Sequence, residues 1–246
     1  MIGFILLISL VASSSIGSSS FSLGEKIGVL EIQGVIGDGV GYEAQTGELI
    51  DTLQRWAKDK NIRGVVVRIN SPGGTVGATQ ELSDELKRYR KETKNPVVAS
   101  MGDLAASGGF YAAMACDEVY ANPGTLTGSI GVILRFMNYE SLSDKVGLDF
   151  EVIKSGQFKD IGSGSRPMTE EERKLLQDVI DSVYGQFLDA VVEGREGAVR
   201  AFLATKEDKA ESDFSNDDVT SHVKQYADGR IFSGAQAVEN GLVDKL

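Results

Sequence analysis

Residues 64–101 read GVVVRINSPGGTVGATQELSDELKRYRKETKNPVVASM. The run at 64–69 is of strand length, rich in valine and isoleucine, and continuous rather than alternating, as a strand buried on both faces requires. It ends in Asn70-Ser71-Pro72-Gly73-Gly74, a turn sequence. From 78 to 90 the apolar residues Leu82, Leu86 and Tyr89 recur at helical spacing. A second apolar run, PVVASM at 96–101, repeats the strand signal. Two buried strands joined through a helix form a parallel βαβ unit, so the expected class is α/β.

The same alternation extends in both directions. Residues 27–36 are β-rich and end in glycine turns, and Leu49, Ile50, Leu53, Trp56 and Ala57 share one helical face. Residues 107–115 read as a short helix of small residues, and 119–121, 131–134 and 149–153 as short strands. The clearest helix runs from 169 to 193. Thr169-x-x-Glu172 is a capping box just after Pro167, and Gly194 and Gly197 are expected to end the helix. Residues 205–218 are polar and acidic, which predicts a surface insertion. Ser233-x-x-Gln236 caps a last helix that stops at Asn240-Gly241.

Composition narrows the function. A 246-residue chain, 41% hydrophobic, buries a full core without disulfides or metals. Its net charge of −11 and lack of a basic stripe exclude nucleic acid as a partner. One cysteine, Cys116, excludes an intrachain disulfide and reads as a buried small residue. One histidine, His222, in a polar stretch, leaves a Ser-His-Asp triad poorly served. A Cys₂His₂ zinc site is impossible, no Walker-type loop is present, and no cofactor is expected. Residues 1–24 carry no charged side chain, and 1–12 (MIGFILLISLVA) are almost wholly apolar. They read as a signal anchor, a signal peptide or a hydrophobic first helix, and no basic flank fixes an orientation.

Three glycine-containing motifs each follow a strand. Gly73-Gly74 lets backbone N–H groups approach a ligand, as an oxyanion hole requires; the plain alternative is a turn. Ser107, in Ala105-Ala106-Ser107-Gly108-Gly109, sits where a strand gives way to a helix. There free N–H groups and the positive helix end favour a nucleophile; the plain alternative is a helix cap. The third is Thr127-Gly128-Ser129-Ile130-Gly131. With His222 poorly placed, the base for a serine nucleophile is a lysine. A lysine base must be shielded from water, because only its neutral amine accepts a proton. The residues themselves leave Lys154 and Lys159 equally eligible.

These motifs, in this order, resemble the signal peptide peptidase A (SppA) family in its short, single-repeat form. They comprise Ser71-Pro72-Gly73-Gly74, Ala106-Ser107-Gly108-Gly109, Thr127-Gly128-Ser129-Ile130-Gly131, Lys154-Ser155-Gly156 with Lys159-Asp160-Ile161, and Ala227-Asp228-Gly229-Arg230. The resemblance covers about 27–246. It implies a ClpP/crotonase-like fold of stacked ββα units at 25–246, preceded by the hydrophobic anchor or signal peptide at 1–24. It implies Ser107 as nucleophile, Lys159 as general base, Ser129 as a serine holding the lysine, and Gly74 and Gly108 as oxyanion donors. It further implies hydrophobic peptide substrates such as remnant signal peptides, a homo-oligomer, and a single-pass bacterial or archaeal membrane location with the catalytic domain outside the cytoplasm. Two features depart from the pattern: an acidic insertion at 196–225, and an end at Leu246 where members usually continue. A crotonase-like acyl-CoA enzyme and a catalytically silent scaffold of the same fold are the rival expectations.

Overall fold

The computed structural model describes residues 24–246, so the expected anchor or signal peptide at 1–24 falls almost wholly outside the described residues. The chain opens with β1 (Lys26–Gln33), β2 (Ile36–Gly37), β3 (Ala44–Gln45) and α1 (Thr46–Lys58). β4 (Ile62–Ser71), α2 (Val76–Thr93), β5 (Val97–Ala106) and α3 (Gly108–Ala113) form the segment quoted above and its continuation. Then come β6 (Glu118–Tyr120), β7 (Leu126–Gly128), α4 (Glu140–Val146), α5 (Glu170–Glu207), α6 (Asn216–Lys224), β8 (Ile231–Ser233) and α7 (Gly234–Glu239).

The main sheet has the order β1-β4-β5-β7-β8, with β6 pairing to β5 as a branch. Every pairing in it is parallel except β7 with β8. The α/β reading is therefore correct. Val65, Val67 and Ile69 of β4 are buried against helices whose inner faces are Leu53 of α1, Leu82, Leu86 and Tyr89 of α2, and Phe110 of α3. Because β4, β5 and β7 run parallel, the turns after them leave at one end of the sheet. Open α/β sheets place their ligand sites at that end.

Four local expectations differ from the structure. Residues 131–134 and 149–153 are not strands; they are mostly exposed and belong to no sheet. Their apolar residues mark a surface rather than a buried strand, a distinction that hydrophobicity alone does not make. Gly194 and Gly197 do not end the long helix, and α5 continues to Glu207. A Cβ at Gly194 would lie 2.9 Å from the Met114 Cβ, so this glycine permits close packing on the end of α3. Most of 196–225 is consequently the end of α5 together with α6, with Val199, Leu203, Val219, His222 and Val223 buried. The two capping boxes read from the sequence are both formed, at Thr169 and at Ser233. Among the described residues, no helix is long and apolar enough to cross a membrane.

Candidate active site

At the end of β4 the chain turns sharply. Buried Ser71 accepts the Gly73 N–H on its Oγ (3.1 Å), and Gly73 adopts φ +102°, which a side chain rarely tolerates. Its carbonyl accepts the Ile36 N–H (2.9 Å), and the Thr75 N–H donates to the Ile36 carbonyl (3.0 Å). The bridge between Gly74 and Ile36 thus uses the groups on either side of the Gly74 N–H and leaves that N–H free.

Ser107 joins β5 to α3 with φ +52° and ψ −120°. A non-glycine residue held there carries strain of order 1–3 kcal/mol, which the surroundings must offset. The backbone is held on both sides. The Ser107 N–H donates to the Gly128 carbonyl and the Tyr111 N–H to the Ser107 carbonyl, both at 2.9 Å. The Ser107 hydroxyl makes no capping bond, so the helix-cap alternative fails. Gly108 is the first residue of α3, where an N–H has no intrahelical acceptor. A Cβ at Gly108 would lie 3.2 Å from the Gly74 nitrogen and 2.6 Å from Thr79 Oγ1. The Gly74 and Gly108 nitrogens therefore lie close together at the Ser107 turn.

Ser129 repeats the geometry one strand over, with φ +52° and its N–H donating to the Arg230 carbonyl (2.8 Å). Ser107, Gly74, Gly108 and Ser129 all line one cleft of about 430 Å³. Its other walls are largely apolar, from Val76, Tyr111, Val132, Ile133, Val183 and Phe187, with Gln80 and Asp228 as polar groups. Tyr111 and Phe187 pack ring to ring at 5.1 Å, and burial pushes the Tyr111 hydroxyl up, so it stays neutral at physiological pH. The sequence did not single out Thr79 or Tyr111. Tyr111 lies one helical turn after Ser107, a spacing that would have placed it on the same face. Asp228 is held down to about 2 by Arg230 and stays ionised at the cleft mouth.

Lys159 is not among the residues lining that cleft. It is exposed, in a turn closed by its own N–H to the Gly156 carbonyl (3.2 Å). Next to it, Asp160 is clasped by two cations. Arg166 donates to both carboxylate oxygens (3.0 and 2.9 Å) and Lys154 Nζ to Oδ1 (2.6 Å), which together hold the carboxyl far below its ordinary range. Arg166 also grips Glu172, whose side chain is 2% exposed and which completes the α5 capping box; Arg166 holds Glu172 down to about 2. Lys154 is thus committed to an ion pair, and Lys159 has none among the described residues. His222 is buried between Phe202 and Tyr226, with Nε2 bonded to the Asn240 carbonyl (2.7 Å), and takes no part in the cleft.

The sequence matches peptidase family S49 over residues 89–209. It is 44% identical to a candidate protease of Synechocystis sp., covering 90% of this chain and 70% of that protein. It is 35% identical to a candidate signal peptide peptidase, SppA, of Enterococcus faecium, covering 90% of this chain and 60% of that protein. The solved structure of a mutant of 1510-N, a membrane-bound stomatin-specific protease, superposes with a TM-score of 0.50 at 13% identity, covering 90% of this chain and 79% of that one. That likeness is one of fold alone. The chain belongs to peptidase family S49, and it is a serine protease.

Proposed function

We propose that Ser107 and Lys159 form the catalytic dyad of a ClpP/crotonase-like peptidase that degrades hydrophobic peptides, such as remnant signal peptides, at a membrane. The observation that carries this reading is Ser107 itself. It is held in a strained backbone with an uncommitted hydroxyl, in an apolar cleft beside two free N–H groups. Neutral Lys159 takes the hydroxyl proton as Ser107 Oγ attacks the scissile carbonyl. The N–H groups of Gly74 and Gly108 hold the oxyanion, a donor pair of which each member is typically worth about 10²–10³ in rate. The lysine then protonates the leaving amine, and water hydrolyses the acyl-enzyme. Ser129 orients the lysine amine, and the apolar walls receive apolar side chains of the peptide.

Because Lys159 stands outside the cleft of its own chain, the reading includes a homo-oligomer in which a second copy presents it. The segment around it supports this. Between Ile133 and Ile153 eleven large apolar side chains are exposed, and Leu175 and Val179 extend the surface onto α5. Soluble monomers rarely leave so much contiguous apolar surface in water. The uncharged stretch at 1–24 supports a membrane anchor. The test is hydrolysis of a hydrophobic signal-peptide mimic by the native chain and by Ser107→Ala, with labelling of Ser107 by an activated phosphonate. Turnover that survives Ser107→Ala overturns the assignment. Failure to label favours the acyl-CoA alternative.

A further inference from the structure

We infer that the end of the sheet opposite Ser107 is a docking surface for anionic lipid headgroups. The inference rests on the membrane-anchor reading above and adds an orientation to it. β1, β4 and β5 are parallel, so their first residues share one end of the molecule. Direct bonds confirm the clustering. The Lys26 N–H donates to the Asn61 carbonyl (2.7 Å), the Asn95 side chain to the Ile62 carbonyl (2.7 Å), and the Val65 N–H to the Pro96 carbonyl (2.9 Å). The C-terminal turns of α1 and α2 lead into β4 and β5, and so end there too.

This end carries the opposite sign to the chain as a whole. Lys26, Lys58, Lys60, Lys91 and Lys94 are all exposed, and among the described residues none is in an ion pair. The acids nearby are mostly committed: Glu25 to Arg63, Glu92 to Arg88, Asp117 to Arg90, and Glu193 to Lys87. Asp59 alone is left against five free lysines, on a chain of net charge −11. Helix macrodipoles account for cations in the last turn of a helix, such as Lys58 and Lys91. They do not account for Lys26, on a strand, or Lys60, beyond a helix. Lys26 is also the first cation after the uncharged stretch at 1–24, so an anchored segment would join the fold at this end. Anionic headgroups attract such a cluster, and the attraction fades within a Debye length of about 10 Å.

The orientation has a functional consequence. Ser107 lies at the far end of the ten-residue strand β5, roughly 30 Å away at about 3.3 Å per residue. The cleft then faces away from the bilayer, and it receives peptide segments that have left the headgroup layer.

Trp56, the chain's one tryptophan, reports on this end, because its ring lies against Gly28 of β1 two residues before Lys58. The full chain is mixed with phosphatidylcholine vesicles, with and without phosphatidylglycerol, each carrying a headgroup nitroxide that quenches tryptophan at short range. The expected result is stronger Trp56 quenching on the anionic vesicles, lost in 0.5 M salt. It should drop roughly tenfold or more in affinity in a Lys58→Glu/Lys60→Glu/Lys91→Glu/Lys94→Glu variant, while pelleting with neutral vesicles persists. Binding to anionic vesicles with none to neutral ones supports the docking surface and counts against the anchor. Pelleting without Trp56 quenching, or quenching indifferent to the four lysines, overturns the inference and leaves the anchor reading standing.

Discussion

The backbone N–H of Ser107 donates to the carbonyl of Gly128 at 2.9 Å, so the strained serine is held by the residue just before the second strained serine, Ser129. The bond ties the turn after β5 to the end of β7. It fixes the Ser107 backbone without using its hydroxyl. Ser107→Ala keeps the N–H and the small size, so the fold should survive and hydrolysis should vanish. Circular dichroism and a thermal scan check the first half of that expectation, and peptide turnover the second.

Gly73 packs against the same turn. A Cβ there would come within 2.6 Å of the Gly108 nitrogen and 2.9 Å of the Ser107 Cβ, at a φ of +102°. Gly73→Ala should therefore displace the Gly108 N–H and lower kcat by about 10²-fold or more, in line with loss of an oxyanion donor. Gly77→Ala, where nothing lies within 4 Å, is the matched control and should leave kcat unchanged. Equal activity in the two variants would show that the Gly73 turn does not shape the site.

Arg166 governs the charge beside Lys159. Asp160, the next residue in sequence, is paired with both Arg166 and Lys154. Arg166→Gln frees that negative charge. The charge stabilises the ammonium form, so the rising limb of the kcat/KM profile should move to higher pH. Arg166→Lys should restore part of the shift. A uniform loss of rate with an unmoved limb would reduce Arg166 to a structural role.

Arg195 and Asp244 form a bidentate pair (2.8 and 2.8 Å), and Asp244 also accepts the Val119 N–H (2.7 Å). Burial pushes the Asp244 carboxyl up, but Arg195 outweighs it and holds the group below its ordinary value. A depressed carboxyl contributes stability above its unfolded value near 3.9, and loses it as pH falls through the lower folded value. Asp244→Ala leaves a guanidinium that is 2% exposed without its partner, and should cost about 3–5 kcal/mol in urea unfolding at neutral pH. The difference from the native chain should shrink in acid.

Much of this was legible in the sequence. The parallel βαβ core follows from valine runs and helical spacing, and Ser107, Gly74, Gly108 and Ser129 do meet in one cleft. What failed to show has physical reasons. Gly194 looked like a stop because a helix end and a close helix contact both call for glycine, and only the packing of Met114 distinguishes them. His222 read only as part of a polar stretch because most of its neighbours in sequence are polar, while Phe202, one of its two aromatic partners, comes from α5. The apolar residues at 131–134 and 149–153 looked like strands because exposed and buried apolar segments share a composition. The distance of Lys159 from the cleft has no signature at all in a linear sequence.

The central claim, a dyad of Ser107 and Lys159 shared between copies, is tested most directly by complementation. Ser107→Ala and Lys159→Ala chains are each assayed alone on a hydrophobic signal-peptide mimic, and then after co-expression as mixed assemblies. Each variant alone should be inactive, and the mixture should recover roughly a quarter of native activity, as random pairing in a symmetric assembly dictates. Near-native turnover by Lys159→Ala alone, or no recovery in assemblies shown to contain both chains, would contradict the account.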